Sequence, residues 1–110
     1  MRIWIDTDMG FDDLAAIGMC VGRADIAGLS VVAGNVALDQ ALANACAAAQ
    51  VFGWHMPIHA GAEGPLKGAL QTAAYVLGPD GMPSVGGRLP VVDPRPDPQG
   101  AVDALAGFLG

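Results

Sequence analysis

Positive charge is scarce in this chain: five Lys and Arg stand against eleven Asp and Glu, for a formal net charge of −6 over 110 residues. The five cations, Arg2, Arg23, Lys67, Arg88 and Arg95, are scattered and form no basic stripe. That excludes a nucleic-acid binder, which needs clustered cations to displace counterions from phosphates. Cysteine is equally sparse. Cys20 and Cys46 share no CxxC spacing and lie among apolar neighbours, so neither a disulfide framework nor a thiolate zinc site is expected, and both read as reduced core residues. Charged residues of both signs make up only 15% of the chain and apolar ones 53%, which excludes a disordered polymer and favours an α/β protein with buried strands. No signal peptide is expected, because Asp6 and Asp8 interrupt any apolar core near the N-terminus. Residues 40–62 carry no charge and are long enough to span a bilayer. They also contain Gln40, Asn44, Gln50, His55, Pro57 and His59, and their apolar content is largely alanine. They are expected to form a helix followed by a strand, with no membrane partner and the cytoplasm as default location.

What is present is an alternation of strand and helix patterns in a length sufficient for one small domain. Residues 2–7 read as a short buried strand and residues 12–22 as a helix. The apolar run 26–33 reads as a second strand, ended by Gly34-Asn35. A second helix is expected from Asp39, a plausible N-cap, to Phe52, with Leu42, Ala45, Ala49 and Phe52 at helical spacing. Residues 57–60 read as a third strand. Apolar strands alternating with helices imply an α/β fold, a parallel Rossmann-like sheet with helices on its faces. Residues 70–77 could form a short helix, and the Gly- and Pro-rich residues 78–100 an extended loop. Residues 101–109 look like the opening of a further helix. A long loop leading into one last helical turn is an odd way to finish a domain. Residues 1–110 are therefore expected to be the N-terminal portion of a single domain, incomplete at its C-terminus.

The chemistry concentrates at the end of the first strand. Asp6, Asp8, Asp12 and Asp13 fall within eight residues, in Ile5-Asp6-Thr7-Asp8-Met9-Gly10-Phe11-Asp12-Asp13. Carboxylates repel one another, so such crowding calls for a cation or a shared proton. The strand–helix junction is also the edge at which open α/β sheets bind ligands. Gly10, lacking a Cβ, lets the chain turn between the two acidic pairs. Asp12 and Asp13 would open the helix, where carboxylates are favoured in any case, so Asp12 taken alone reads as a cap. Asp6 and Asp8, on the strand before it, have no such ordinary explanation. An EF-hand loop fails, because its fifth, sixth and twelfth positions would be Gly10, Phe11 and Ile17. The aspartyl phosphatase signature, Asp-x-Asp followed by Gly-Thr or Gly-Val, is met only in part, since Met9-Gly10 follows Asp8 and the hydroxyl position is missing.

Residues 6–17 closely resemble the N-terminal signature of the inosine–uridine-preferring nucleoside hydrolases, Asp-x-Asp-Pro-Gly-x-Asp-Asp-Ala. Val31-Val32-Ala33-Gly34-Asn35-Val36 resembles that family's second strand with its Gly-Asn end, and Asn44-Ala45 the Asn-Ala of the following helix. Met56 to Ala62 with Pro65-Leu66 resembles its Val-Pro-Val-x-x-Gly-Ala and Pro-Leu segment. Gly78-Pro79-Asp80-Gly81-Met82 is a weaker echo of its next loop. The resemblance covers essentially the whole chain but only about the first third of a family member. It implies calcium-dependent hydrolysis of the N-glycosidic bond of ribonucleosides, giving free base and ribose, in purine or pyrimidine salvage. By the same resemblance Asp8 and Asp13 would ligate Ca2+, Asp8 would also orient and deprotonate the attacking water, Asp12 would bind the ribose 2′-hydroxyl, and Asn35 would support the ribose. Asp6 would steady the loop behind them, and the full-length form would be a homo-oligomer. The remaining calcium ligands and the leaving-group contacts would come from later sequence. Met9 stands where the family usually has proline, and Leu77-Gly78 where many members carry His-Gly near the base. The alternatives are a truncated relative that binds a nucleoside or metal without catalysis and, further off, an aspartyl phosphatase.

The other polar residues suggest less. His55 and His59 are four apart with Pro57 between them, so they read as loop and strand residues and not as a metal pair. Trp4 and Trp54 are expected to pack in the core or under a helix. Asp93 and Asp97 are expected to be solvated.

Overall fold

The structure, a computed structural model, describes residues 1–34, 36–64, 90 and 93–110. Three strands, β1 (Arg2–Thr7), β2 (Asp25–Val31) and β3 (Ile58–Ala60), pair in parallel in the order β1-β2-β3. Helix α1 (Phe11–Cys20) connects β1 to β2, and α2 (Leu38–Phe52) connects β2 to β3. Helix α3 (Ala101–Leu109) completes the described elements. The expected α/β architecture is what is found: a parallel sheet with flanking helices.

The faces of the sheet follow from the period-2 alternation of strand side chains. Leu29, Val31 and Ile58 join Ile5 on one face, where they pack against Ile17 and Leu14 of α1 and Leu38, Ala41, Leu42, Ala45 and Ala48 of α2. The alanines let α2 approach the strands closely. Phe52, expected on the same apolar stripe, is instead 57% exposed and stacks on buried Trp54 with centroids 5.9 Å apart. Trp4, Ser30 and His59 occupy the opposite face, under α3. The Trp4 ring stacks on His59 at 5.5 Å and meets Phe108 of α3 at 5.7 Å. Both tryptophans thus pack as expected.

Boundaries moved by one or two residues. The first helix runs from Phe11 and stops at Cys20, because Val21 turns to an extended conformation. The second strand ends at Val31. The N-cap of α2 is Ala37, with no side-chain cap, so Asp39 lies inside the first turn and is not the cap. Asp39 still lies in the first turn, where negative charge is favoured. Both cysteines are free and half-buried, and Cys46 Sγ accepts a hydrogen bond from the Arg95 N–H at 3.4 Å. Among the described residues no helix is long and apolar enough to cross a membrane. The expected helix at 70–77 and most of the loop at 78–100 lie outside the described residues. Residues 93–100 of that loop dock on β3 through Asp97 N–H to Ile58 O at 2.7 Å and bend at 98–99.

Trp4 pairs directly with Gly28 across the β1–β2 ladder. A Cβ at Gly28 would lie 2.7 Å from the Trp4 ring, so the indole uses the space a side chain would fill. Gly28→Ala should therefore destabilise the protein by about 1–3 kcal/mol through overpacking. Urea denaturation checks this, and an unchanged midpoint would show that the indole is not seated there.

Candidate active site

The last rung between the first two strands is Val32 N–H to Thr7 O at 2.9 Å. Beyond it stands the acidic turn, residues 8–10, at the carboxyl end of β1. Asp8 is half-buried against the backbone that leaves β2. A Cβ at Gly34 would fall 2.5 Å from Asp8 Oδ2 and 2.6 Å from its Cβ, so only glycine leaves room for the carboxylate. Met9 follows with φ 53°, in the left-handed region, and its side chain is fully buried in the core. Non-glycine residues adopt that region only when their surroundings hold them there. Here the Met9 N–H donates to Thr7 Oγ1 at 2.9 Å, and its carbonyl accepts from Asn44 Nδ2 of α2 at 3.4 Å. Asn44 is 4% exposed, and its Oδ1 accepts from Gln40 Nε2 at 2.9 Å.

Gly10, in extended conformation, is the N-cap of α1 and places Asp12 and Asp13 in the first turn. Asp12 faces solvent, whereas Asp13 is half-buried and turns back to the loop. Burial opposes its ionisation, but hydrogen bonds with the Asp8 carboxyl, the Thr7 hydroxyl and the backbone N–H groups of Gly10 and Asp8 outweigh burial. Together they hold the Asp13 carboxyl below the 3.8 of a free aspartate. The Thr7 hydroxyl donates to Asp13 Oδ2 at 2.7 Å.

Of the residues singled out in the sequence, Asp8 and Asp13 are brought into contact. Asp12 sits one position away with an exposed carboxylate. Asp6 points to the other face of the sheet, where it accepts a hydrogen bond from the Ser30 hydroxyl, itself bonded by Trp4 Nε1 at 3.0 Å. Asn35 lies outside the described residues, as do Pro65-Leu66, Leu77-Gly78 and the loop at 78–82. The histidines are not a pair: His55 is exposed, whereas His59 is buried with Nδ1 2.9 Å from Gln99 O. Asp93 is exposed as expected. Asp97 is not merely solvated, since its Oδ1 accepts from Gln99 N–H at 2.9 Å and lies 3.8 Å from His59 Nδ1.

The donor chemistry at the turn fits a hard cation: the groups that converge are carboxylates, with one of them held ionised. Among the described residues no set of three or more His, Cys, Asp and Glu side chains converges to hold a metal. Thr7, Gly34 and Asn44 were not singled out for the site in the sequence. All three lay inside matched motifs, and only the fold shows what they touch.

Comparison with known proteins gives the family. The inosine-uridine preferring nucleoside hydrolase family matches residues 3–109, and the chain belongs to that family. It is 37% identical over 84 residues to the non-specific ribonucleoside hydrolase RihC of Salmonella paratyphi A, covering 74% of this chain and 28% of that protein. Among solved structures it superposes on the plant nucleoside hydrolase PpNRh1 with a TM-score of 0.82 at 31% identity, over 98% of this chain and 35% of that one. A purine-preferring ribonucleoside hydrolase from Gardnerella vaginalis gives the same TM-score, 0.82, at 24% identity, over 99% and 36%, and shares the fold. The chain spans about a quarter of the length of the curated relatives it matches.

Two outcomes are expected of this geometry. Gly34→Ala should displace the Asp8 carboxylate while the β1–β2 ladder survives, read as shifts of the Asp8 side-chain NMR signals with strand signals retained; unmoved Asp8 signals would contradict the close approach. The Asp13 carboxyl ionises more readily in the folded than in the unfolded chain, so the unfolded state binds more protons between the two pKa values. Its stabilisation is complete above 3.8 and is lost as pH falls through the lower, folded value. In Asp13→Asn the acid-side decline in stability should be shallower, and equal slopes in pH-dependent urea titrations would contradict the assignment.

Proposed function

We propose that the protein of which this chain forms part hydrolyses the N-glycosidic bond of ribonucleosides in a calcium-dependent reaction. The observation that carries the reading is the contact between Asp8 and Asp13 at the carboxyl end of β1, in a chain that belongs to the nucleoside hydrolase family. Asp8 and Asp13 would hold Ca2+, an oxygen-seeking ion suited to carboxylates on an irregular turn. When bound, that ion supplies positive charge that orients the vicinal ribose hydroxyls and acidifies water. Asp8 takes the proton of the attacking water as its oxygen bonds to C1′, while the C1′–N bond breaks and its electron pair leaves with the base. The sugar passes through an oxocarbenium-like state, which neighbouring carboxylates stabilise electrostatically. Asp12, exposed at the first turn of α1, accepts a hydrogen bond from the ribose 2′-hydroxyl, and Asn35 supports the ribose. Asp6, bonded to Ser30, steadies the strand end from the opposite face. The reading extends to base salvage in the cytoplasm by a homo-oligomeric full-length protein.

A second reading keeps the binding and drops the catalysis. It is favoured by the convergence of only Asp8 and Asp13 among the described residues, where no set of three or more metal-ligating side chains meets. Release of free base from purine and pyrimidine ribonucleosides, measured on the full-length protein with and without a calcium chelator, separates the two. Chelation should abolish turnover, and Asp8→Asn should lower it by about a hundredfold or more with the fold intact. Near-normal turnover in that variant would sink the role given to Asp8. Calcium binding without base release from the unmodified protein would favour the second reading.

A further inference from the structure

The geometry points to Thr7 as a positioning residue for the cation site, an inference that rests on the reading above. Three observations meet at its hydroxyl. It is buried, with the residue 5% exposed, at the last position of β1, and so is fixed by the sheet and not by the loop. It accepts the Met9 N–H at 2.9 Å, and it donates to Asp13 Oδ2 at 2.7 Å. A hydroxyl has one proton, and the incoming Met9 N–H occupies a lone pair, so that proton is left for Asp13. The single oxygen thus ties both arms of the acidic turn to the strand end: the arm that carries Asp8, through Met9, and the first turn of α1, through Asp13.

The arrangement depends on the residue at position 9. Met9 stands at φ 53°, which a proline ring cannot adopt, and proline has no N–H to give Thr7. Where a proline would stiffen the turn by its ring, this chain stiffens it by a hydrogen bond to Thr7, anchored from behind by Asn44 on the Met9 carbonyl. Thr7 therefore sets the direction of a carboxylate lone pair without being a ligand. The hydrogen bond from Thr7 fixes the Oδ2 atom of Asp13 while the same carboxyl stays in contact with Asp8.

Calcium titration by calorimetry of the full-length protein and its Thr7→Val and Thr7→Ser variants tests this. Valine keeps the shape and removes the hydroxyl; serine keeps the hydroxyl. Thr7→Val should weaken calcium binding about tenfold or more, as expected for loss of a hydrogen bond to a charged group, while Thr7→Ser stays within about threefold of the unmodified protein. Melting in chelator is followed in parallel, and serine should restore affinity beyond any change it makes in stability. Equal affinity in the valine and unmodified proteins would overturn the inference, as would a serine variant as weak as valine. If Thr7→Val does not fold, Thr7→Cys, with a weak S–H donor of similar size, replaces it under the same criterion. A folded unmodified protein that binds no calcium would instead overturn the calcium reading itself, and the inference with it.

Discussion

Everything at the acidic turn depends on where the parallel pairing of β1 with β2 stops. The final rung joins Val32 to Thr7, and one residue later the Asp8 carboxylate lies in the space that a Gly34 side chain would occupy. Sheet hydrogen bonds are cooperative and directional, so they fix the strand ends far more tightly than the loop could fix itself. Loop residues placed directly on such an end inherit that order. Carboxylates that would otherwise repel and splay are held in contact by the Thr7 hydroxyl at the strand end and by backbone N–H groups of the turn itself. The cost of a left-handed Met9 is offset in the same way, by bonds to both of its peptide groups.

The architecture was legible because it rests on periodicity. Apolar runs bounded by Gly and Pro specify parallel strands, and alanine-rich spacing specifies α2, whatever the tertiary detail. Exact helix starts were not legible. Asp39 looks like a cap, yet Ala37 holds that place because the chain entering α2 arrives from the end of β2, and tertiary position overrides local preference. Phe52 fits the apolar period and still faces outward, since the helix ends beside Trp54.

The site was legible in its carboxylates and not in its supports. Clustered like charges announce themselves in a sequence, because few stable structures tolerate them without a reason. A threonine between two aspartates, or a glycine closing a strand, announces nothing; Thr7 and Gly34 gain meaning only from what lies within 3 Å of them. The strand period does assign Asp6 and Asp8 to one face and Thr7 to the other, but the turn beyond the last rung cancels it. The chain leaves the pleat there, so Asp8 turns toward Asp13 while Asp6 stays with Ser30. Asp97 was hidden for a similar reason: its contact with the His59 region joins residues almost forty apart.

The meeting of Trp4 with Phe108 has a consequence for how the chain is made. Trp4 and Arg2 belong to the first strand, yet the aromatic ring that covers them stands in α3, about a hundred residues later. During synthesis β1, β2 and β3 can pair, and α1 and α2 can cover one face, before that ring exists. Until then the indole lacks the Phe108 ring that meets it in the folded chain. Closing so long a loop costs only modestly more than closing a short one, so the delay is set by the ribosome and not by chain entropy. The first strand therefore reaches its final packing only when α3 arrives, bringing the aromatic cover that Phe108 gives Trp4 in the folded chain.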